Sequence, residues 1–137
     1  MSGEPFVIPR ALFDGMRAHA AAEHPRECCG LLAGAHGATH RYPLRNALAS
    51  ETEFLSEAAD MIAAVKDMRA NGTRILAVYH SHPASAPVPS KKDIERNYAR
   101  DVLSVIVGPG GEVRAWRIDG AEVCEMVVVR NLGEPRA

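Results

Sequence analysis

The sequence predicts an α/β fold of the α+β kind, in which helices flank a mixed β-sheet. Two segments place apolar residues at helical spacing, strand-length apolar runs lie before and after them, and three more such runs follow near the end. A length of 137 residues suits one domain with one core. No internal repeat or linker divides the chain, so we expect a single domain over residues 1–130 and a frayed tail over residues 131–137.

The first third of the chain is predicted to contain one helix among short strands. After the first strand, Leu12, Met16 and Ala20 recur at the spacing of one helix face. Further on, Gly34 separates two short runs in the manner of a hairpin turn. In chain order, the predicted elements are a strand over residues 5–9, a helix over 9–23, a hairpin formed by 28–33 and 39–44, and a loop over 46–52.

The clearest helix is predicted over residues 56–70. Ser56 can cap its amino end, because a serine hydroxyl accepts hydrogen bonds from the unpaired amides of the first turn. Asn71-Gly72 follows the last apolar position and provides a common stop. The apolar face of this helix is predicted to contain Ala59, Ile62, Ala63 and Met68.

The second half of the chain is predicted to begin with a buried central strand. The run 75–79 is continuously apolar, which is typical of a strand covered on both faces, and it leads directly into His80. Prolines make the segment 82–89 an irregular loop. The remaining predicted elements are a short helix over residues 90–100 and strands over 102–107, 113–118 and 123–129.

The charge balance and the lack of long apolar runs exclude two classes of partner. The chain has 16 basic and 17 acidic residues, a formal net charge of -1 and no long basic run, so we expect no nucleic-acid binding. No run approaches the roughly 20 apolar residues of a membrane helix, so we expect no membrane association. The first residues lack a secretion signal, which predicts a cytoplasmic protein. None of these patterns predicts the oligomeric state.

The three cysteines are predicted to be reduced thiols without a catalytic role. An odd number without a secretion signal argues against a disulfide framework. Cys28 and Cys29 are adjacent, so on a strand they point to opposite faces and are poor partners for each other. We interpret both as small buried apolar residues, and Cys124 as an ordinary strand residue.

The segment 80–93 carries the strongest chemical signal. His80 and His82 are two apart, and side chains two apart on a strand share one face, so both imidazoles can reach one metal ion. Asp93 lies beyond the proline-rich loop, at the start of the next predicted helix, where it can fold back as a third ligand. Two histidines and one carboxylate, with a fourth position left to water, form the ligand pattern of catalytic zinc. We therefore predict one zinc ion per chain at these three residues.

Each of these residues also has an interpretation that requires no metal. A histidine at a strand end is commonly an ordinary surface or core residue, and Ser90 with Asp93 matches a helix capping box. Capping and metal binding are compatible, because Ser90 can cap the helix while its hydroxyl faces the metal pocket. Ser81 lies on the opposite strand face and receives no catalytic role. The ligand set suits zinc best, with iron or another divalent ion as the alternative.

The same segment resembles the JAMM motif of the MPN-plus zinc metalloproteases. Two histidines separated by one residue, a proline, six further residues, and a serine and an aspartate separated by two match every defining position of that motif. The motif also requires a glutamate far upstream, and Glu27 in PRECCGLLAG lies in the matching context. Residues 45–56, RNALASETEFLS, are similar to the family's loop before the second helix, and the order of predicted elements agrees along nearly the whole chain.

The resemblance implies a fold, an enzyme class and a role for each motif residue. The fold would be of the MPN/JAMM type, which is similar to the cytidine-deaminase-like fold. His80, His82 and Asp93 would bind zinc. Glu27 would take a proton from the zinc-bound water and pass it to the leaving amine. Ser90 would donate a hydrogen bond to the oxyanion of the tetrahedral intermediate.

The resemblance also implies a class of substrate. Family members cleave amide or isopeptide bonds after the carboxyl-terminal Gly-Gly of ubiquitin or ubiquitin-like proteins. A lean single-domain chain is similar to the bacterial branch that acts on small ubiquitin-like sulfur-carrier proteins. The implied partner is such a carrier, from which the enzyme would remove an extension or release a cysteine. A glycine tail suits this kind of site, because it pairs with a strand edge and threads a narrow groove.

Three other interpretations make different demands on the sequence. A catalytically silent MPN scaffold usually lacks one or more metal ligands, whereas this chain retains all of them. A zinc-dependent nucleobase deaminase would carry H-x-E and a later P-C-x-x-C, neither of which occurs in the chain. A structural zinc site would place a fourth protein ligand where a catalytic site keeps water.

Overall fold

The computed structural model describes residues 4–97 and 99–131. A mixed sheet with helices packed against it forms the centre, as the sequence predicts. In chain order, the elements are β1 (Phe6–Pro9), α1 (Arg10–Glu23), β2 (Cys29–Gly34), β3 (His40–Leu44), α2 (Ala58–Asn71), β4 (Arg74–Ser81), α3 (Lys91–Glu95), β5 (Leu103–Val107), β6 (Val113–Asp119), β7 (Glu122–Met126) and β8 (Val128–Asn131).

The central sheet contains six strands in the order β3-β2-β4-β5-β6-β7. Neighbouring strands are antiparallel except for β4 and β5, which run parallel. Strands β1 and β8 form a separate parallel pair. Because β4 lies in the interior of the large sheet, the prediction of a buried central strand before His80 is confirmed. Within residues 4–97 and 99–131, every helix is too short or too polar to cross a membrane.

The amino end of α2 differs from its prediction, whereas its carboxyl end agrees. The carboxylate of Glu57, and not the predicted Ser56, caps the helix by accepting two amides of the first turn at 3.0 and 3.3 Å. The Glu57 side chain is longer than that of serine and reaches the amides of the first turn. The helix starts two residues later than predicted. The predicted stop is confirmed, because Gly72 adopts a φ of 72°, a left-handed conformation that glycine adopts without steric cost.

The apolar face of α2 is rotated relative to the predicted one. Ile62 is 57% exposed, and both predicted alanines are exposed as well. Of the predicted face, Met68 is buried as expected, and Ala64 is buried beside it with Met61 partly buried. Positions 61, 64 and 68 are also at helical spacing, so the sequence allows both faces. Packing against the sheet selects between them.

The predicted short helix and the predicted last strand both differ from the structure, because tertiary contacts change where each element ends. Helix α3 ends at Glu95 rather than at residue 100, and shortly after it the Asn97 side chain donates to the Ile118 carbonyl at 3.0 Å, which directs the chain toward β6. The predicted strand over 123–129 is two strands, because the chain leaves β6 after Met126 and pairs with β1 instead. Of the predicted tail, Asn131 belongs to β8, and residues 132–137 lie outside the described part of the chain.

The two faces of the central sheet carry separate apolar clusters, which we name the α1 face and the α2 face after the helix that covers each. Alternate residues of β2 divide between them, since Leu32 packs in the cluster that contains α1 and Leu31 in the cluster that contains α2. Tyr79 lies at the centre of the α1 face, where its buried hydroxyl accepts a hydrogen bond from Arg41 at 3.0 Å and contacts His19 Nδ1 at 2.7 Å.

Candidate metal centre and active site

His80 and His82 lie at the carboxyl end of β4. Residue 80 pairs with Cys29 of β2 and Ile106 of β5, and the His82 amide donates to the Val107 carbonyl at 2.9 Å. These contacts on both sides hold the end of the strand, and the two imidazoles converge with their Nε2 atoms 3.2 Å apart. The residues are 1% and 5% exposed. The predicted convergence of the two rings is therefore present.

Asp93 joins the histidines from the first turn of α3. Its Oδ2 lies 3.1 Å from the Nε2 atom of each imidazole. The predicted capping box is also present: the Asp93 amide donates to Ser90 Oγ at 3.1 Å, and the Ser90 amide donates to the Asp93 carboxylate at 2.9 Å. Capping and contact with the histidines therefore occur together, and the cap fixes the carboxylate that faces the imidazoles.

The hydrogen bonds of His82 determine which of its nitrogens faces the cluster. Its Nδ1 lies 2.8 Å from the Ala86 carbonyl, which can only accept, so Nδ1 carries a hydrogen. In the neutral ring, Nε2 then presents a lone pair toward the Asp93 carboxylate 3.1 Å away, which also presents lone pairs. Two acceptors at this distance require a cation between them, and a metal ion or a proton on Nε2 meets that requirement.

The geometry of the three donor atoms fits a zinc ion. Zinc bonds to imidazole nitrogen and carboxylate oxygen are about 2.0–2.2 Å long, so a tetrahedral site places neighbouring donors about 3.3–3.6 Å apart. The donor atoms of His80, His82 and Asp93 are 3.1–3.2 Å apart. The observed distances are slightly shorter than those of a tetrahedral zinc site, and small side-chain movements can remove this difference. The three residues can therefore hold the predicted ion and leave a fourth position for water.

The protonation states of the three side chains are coupled. Burial lowers the pKa of His80 below its ordinary value of 6.5. Burial also acts to lower the pKa of His82, but the hydrogen bond and the charge of Asp93 outweigh it and raise that pKa. Burial acts to raise the pKa of Asp93, and the hydrogen bonds with both imidazoles reverse this and hold that pKa well below its usual range. Asp93 is thus ionised at neutral pH, which is the form that binds metal.

Glu27 lies beside this cluster, just before β2. It is 4% exposed, and its Oε1 atom has no hydrogen-bond partner within the described residues. Burial is the main cause that raises its pKa to about 7, while the charge of His82 lowers it and that of Asp93 raises it to a smaller extent. A carboxyl group with a pKa near neutrality can accept a proton and release it again.

Two residues of the 45–56 loop support the centre, although the sequence does not single them out. The Asn46 side chain donates to the backbone carbonyls of Glu27 at 3.1 Å and Glu53 at 3.0 Å, which ties the Glu27 backbone to this loop. The Phe54 ring stacks on the His80 ring, with centroids 4.6 Å apart and an interplanar angle of 25°. The similarity to the family loop marks this segment, but no spacing rule tells which of its side chains turn inward.

A cavity of about 480 Å³ opens beside His80 and Asp93 on the α2 face. At its rim the Glu53 carboxylate pairs with Lys92 at 2.8 Å and with Arg96 at 3.1 Å, which joins the 45–56 loop to α3. The wall of the cavity is mainly apolar and includes Phe54, Leu55, Met61, Ile62 and Val78.

The burial and contacts of the other potentially reactive side chains near the centre indicate a structural role. Cys28 and Cys29 are buried free thiols, and burial raises their pKa values to about 11 and about 12, so both stay protonated near neutral pH. The Ser81 hydroxyl accepts a hydrogen bond from the Cys28 amide at 2.8 Å. These contacts support the interpretation of all three residues as non-catalytic.

Comparison with known proteins places the chain among the peptidases that its motif resembles. Residues 9–119 match the family described as prokaryotic homologs of the JAB domain. The chain belongs to this family. Membership confirms the resemblance to the JAMM proteins, because the matched range contains the whole segment from Glu27 to Asp93.

Two curated relatives of this JAB-domain protein show its enzyme class. A protein of Thermus thermophilus named "Probable TtuB-protein conjugate cleaving protease" is 37% identical over 128 residues, which cover 92% of this chain and 85% of the relative. The "CysO-cysteine peptidase" of Mycobacterium tuberculosis is 33% identical over 131 residues, which cover 90% of each chain. The JAB-domain protein is accordingly a hydrolase of the peptidase class, as the sequence predicts.

Solved structures agree with the fold. Protein DSY2949 from Desulfitobacterium hafniense is 28% identical and superposes with a TM-score of 0.85 over 93% of this chain and 94% of that one. AF2198, a JAB1/MPN domain protein from Archaeoglobus fulgidus, is 21% identical with a TM-score of 0.60 over 91% of this chain and 99% of that one. The predicted α/β fold of the MPN type is therefore confirmed.

Proposed function

We propose that this protein is a zinc-dependent peptidase that cleaves the amide bond after the carboxyl-terminal Gly-Gly of a small ubiquitin-like sulfur-carrier protein. The observation that supports this function most is the meeting of three donor atoms within 3.1–3.2 Å of one another. Beside them lies Glu27, a buried carboxyl group with one oxygen that has no hydrogen-bond partner in the part of the chain that the structure describes. Together they provide metal ligands and a general base in one place.

Each protein group has a distinct task in the proposed hydrolysis. The zinc ion, when bound, supplies a Lewis acid that acidifies water and polarises a carbonyl group. Glu27 takes the proton from the attacking water and returns it to the leaving amine, and its pKa of about 7 suits both directions of transfer. His80, His82 and Asp93 hold the ion through donor atoms that are already close together.

Ser90 is the proposed donor to the oxyanion. Its Oγ accepts a hydrogen bond from the Asp93 amide through a lone pair, so the hydroxyl hydrogen remains available for donation. The same bond holds the oxygen in place, and a donor that is fixed before the reaction stabilises developing negative charge without reorganisation.

The substrate class rests on the relatives and on the shape of the centre. The names of the two relatives specify TtuB-protein conjugates and CysO-cysteine as what those proteins cleave. In this chain the histidines are 1% and 5% exposed, so the scissile carbonyl must arrive on a slender chain. Two glycines without side chains meet that requirement, and the cavity beside His80 and Asp93 has room for the residues that precede them.

The decisive experiment uses a small ubiquitin-like carrier with cysteine amide-linked to its carboxyl-terminal Gly-Gly, and mass spectrometry of the products. The zinc-loaded enzyme is expected to release the cysteine, and a chelator is expected to abolish the reaction until zinc is restored. Glu27→Gln should retain zinc but lose about 100-fold or more in rate, because the base is removed while the ligands remain. Glu51→Gln, at an exposed residue of the neighbouring loop, is the matched control and should keep full activity.

Two results would contradict the proposal in different ways. Full activity of Glu27→Gln would show that another group is the base. An intact adduct in the presence of stoichiometrically bound zinc would favour the alternative of a catalytically silent scaffold with a structural ion.

A further inference from the structure

The loop over residues 83–89 connects the two parts of the candidate metal centre. It begins directly after His82 and leads to α3, which carries Asp93. Pro83, Pro87 and Pro89 lie within it and have no amide hydrogen to donate. The position of the loop therefore depends strongly on hydrogen bonds that its carbonyl groups accept.

Two successive carbonyl groups of this loop are held by ring N–H groups from separate parts of the chain. The Ala86 carbonyl accepts from His82 Nδ1 at 2.8 Å, and the Pro87 carbonyl accepts from Trp116 Nε1 at 3.0 Å. The Val88 amide also donates to the Ala86 carbonyl at 2.8 Å, which closes a three-residue γ-turn centred on Pro87. Because the proline ring fixes φ near −65° and the turn restricts ψ, the two carbonyl groups form one rigid unit.

We propose that Trp116 is a positioning residue for the metal ligand His82. By holding the Pro87 carbonyl, it fixes the neighbouring Ala86 carbonyl, and that carbonyl keeps the hydrogen of His82 on Nδ1. The lone pair of Nε2 is thereby directed at the metal position. The inference rests on the proposed function in one respect, namely that His82 binds the ion.

Trp116 is itself well fixed. It is 8% exposed on β6 and packs with Ile106 and Ile118, and Ile94 of α3 packs against the same cluster. The Arg114 guanidinium lies 4.8 Å from the centre of the indole ring and is in turn held by the Glu125 carboxylate at 2.7 and 2.8 Å. The indole contacts the loop that follows His82, and it packs in the cluster under α3, which carries Asp93. A rigid indole in this place can fix the positions of these two residues relative to each other.

A merely structural tryptophan would change the stability of the protein without changing the His82 ring. Replacement of the indole N–H by sulfur distinguishes a structural role from the positioning of His82. This replacement is made by incorporating benzothienylalanine in place of tryptophan. Trp116 is the single tryptophan of the chain, so the replacement affects one site and preserves the ring shape. Trp116→Phe is the genetic counterpart, and Arg114→Gln is the control, because it removes the cation over the ring but keeps the N–H donor.

The first measurement is the tautomer of His82 in zinc-free protein, from nitrogen-15 NMR of labelled histidine at a pH high enough for the ring to be neutral. The second is the zinc affinity by competition with a chromophoric chelator. Loss of the N–H is expected to shift His82 away from the single Nδ1–H tautomer. Zinc affinity is expected to fall about 3- to 10-fold, less than the 10–100-fold that follows loss of a direct partner of a ligand. Arg114→Gln should leave both unchanged.

The outcomes keep this inference apart from the proposed function. An unchanged tautomer together with an unchanged zinc affinity in the sulfur analogue would overturn the role of Trp116. A wild-type protein that takes up no zinc would overturn the proposed function, and the tautomer measurement would still decide whether Trp116 positions His82.

Discussion

The two faces of the central sheet treat their buried polar groups in opposite ways. On the α1 face, the hydroxyl of Tyr79 is buried and has two partners, Arg41 and His19. On the α2 face, Glu27 Oε1 and His80 Nδ1 are buried without a hydrogen-bond partner among the described residues. An unpaired buried polar group costs on the order of 1–3 kcal/mol. The α2 face therefore gives up stability at the end of β4, where the proposed chemistry takes place, whereas the α1 face stabilises the fold.

The largest expected effect of a substitution is on metal binding at the α2 face. Asp93→Ala removes one of the three proposed ligands and the negative charge that would compensate a bound cation. Zinc affinity should fall by more than the roughly 100-fold that loss of an outer partner costs, as measured by competition with a chelator. Glu95→Ala, at an exposed acidic residue of the same helix, is the control and should bind zinc normally. Equal loss in both variants would indicate unfolding of α3 rather than loss of a ligand.

Truncation of core residues should cost stability on both faces alike. Leu31 and Leu32 are adjacent in β2 and fully buried on opposite faces. Leu31→Ala and Leu32→Ala should each lower the free energy of unfolding by about 2–5 kcal/mol in chemical denaturation, because each leaves a cavity. A loss below about 1 kcal/mol on one face alone would show that the faces differ in packing as well as in the pairing of polar groups.

The smallest expected effect concerns Glu27 in zinc-free protein and depends on pH. Burial raises its pKa from 4.5 to about 7, so the folded state binds this proton more readily than the unfolded state. Its ionisation therefore destabilises the fold above about pH 7, and this contribution disappears as the pH falls below about 4.5. Glu27→Gln stays neutral and should be more stable than wild type by about 1–3 kcal/mol at about pH 8, with little difference at about pH 4.

Thermal unfolding at both pH values, with Glu51→Gln as an exposed control, measures this difference. A constant difference between Glu27→Gln and wild type at both values would mean that packing, and not ionisation, distinguishes the two side chains.

The sequence predicts much of the fold because its signals are local. Apolar runs and glycine positions locate most strands and the first two helices, and the serine and aspartate of the capping box locate the start of α3. The cap of α2 was wrong for a local reason, the reach of the Glu57 side chain, and the other errors arise because distant contacts override local pattern. Packing on the sheet selects Met61 and Ala64 rather than Ile62, and pairing with β1 divides the last predicted strand at Met126.

The candidate site, like the fold, could be predicted only in part from the sequence. The five predicted residues, Glu27, His80, His82, Ser90 and Asp93, follow from strand periodicity, capping chemistry and similarity to a spaced motif. Their supporting residues do not. Asn46 and Phe54 contact the centre from the 45–56 loop, and Trp116 contacts the loop after His82 from a remote strand. No short-range spacing connects these three residues to the groups that they contact.

The sequence by itself determined which chemistry this protein can carry, because ligand types and their spacing on a strand and a helix start are local properties. The tertiary structure alone decided the electrostatic state of that chemistry. Burial raises the pKa of Glu27 to about 7, and the Ala86 carbonyl selects the His82 tautomer. The burial of Glu27 comes from elements that are distant in the sequence, whereas Ala86 lies only four residues after His82. Both effects depend on desolvation and hydrogen-bond direction, which exist only once the chain has folded.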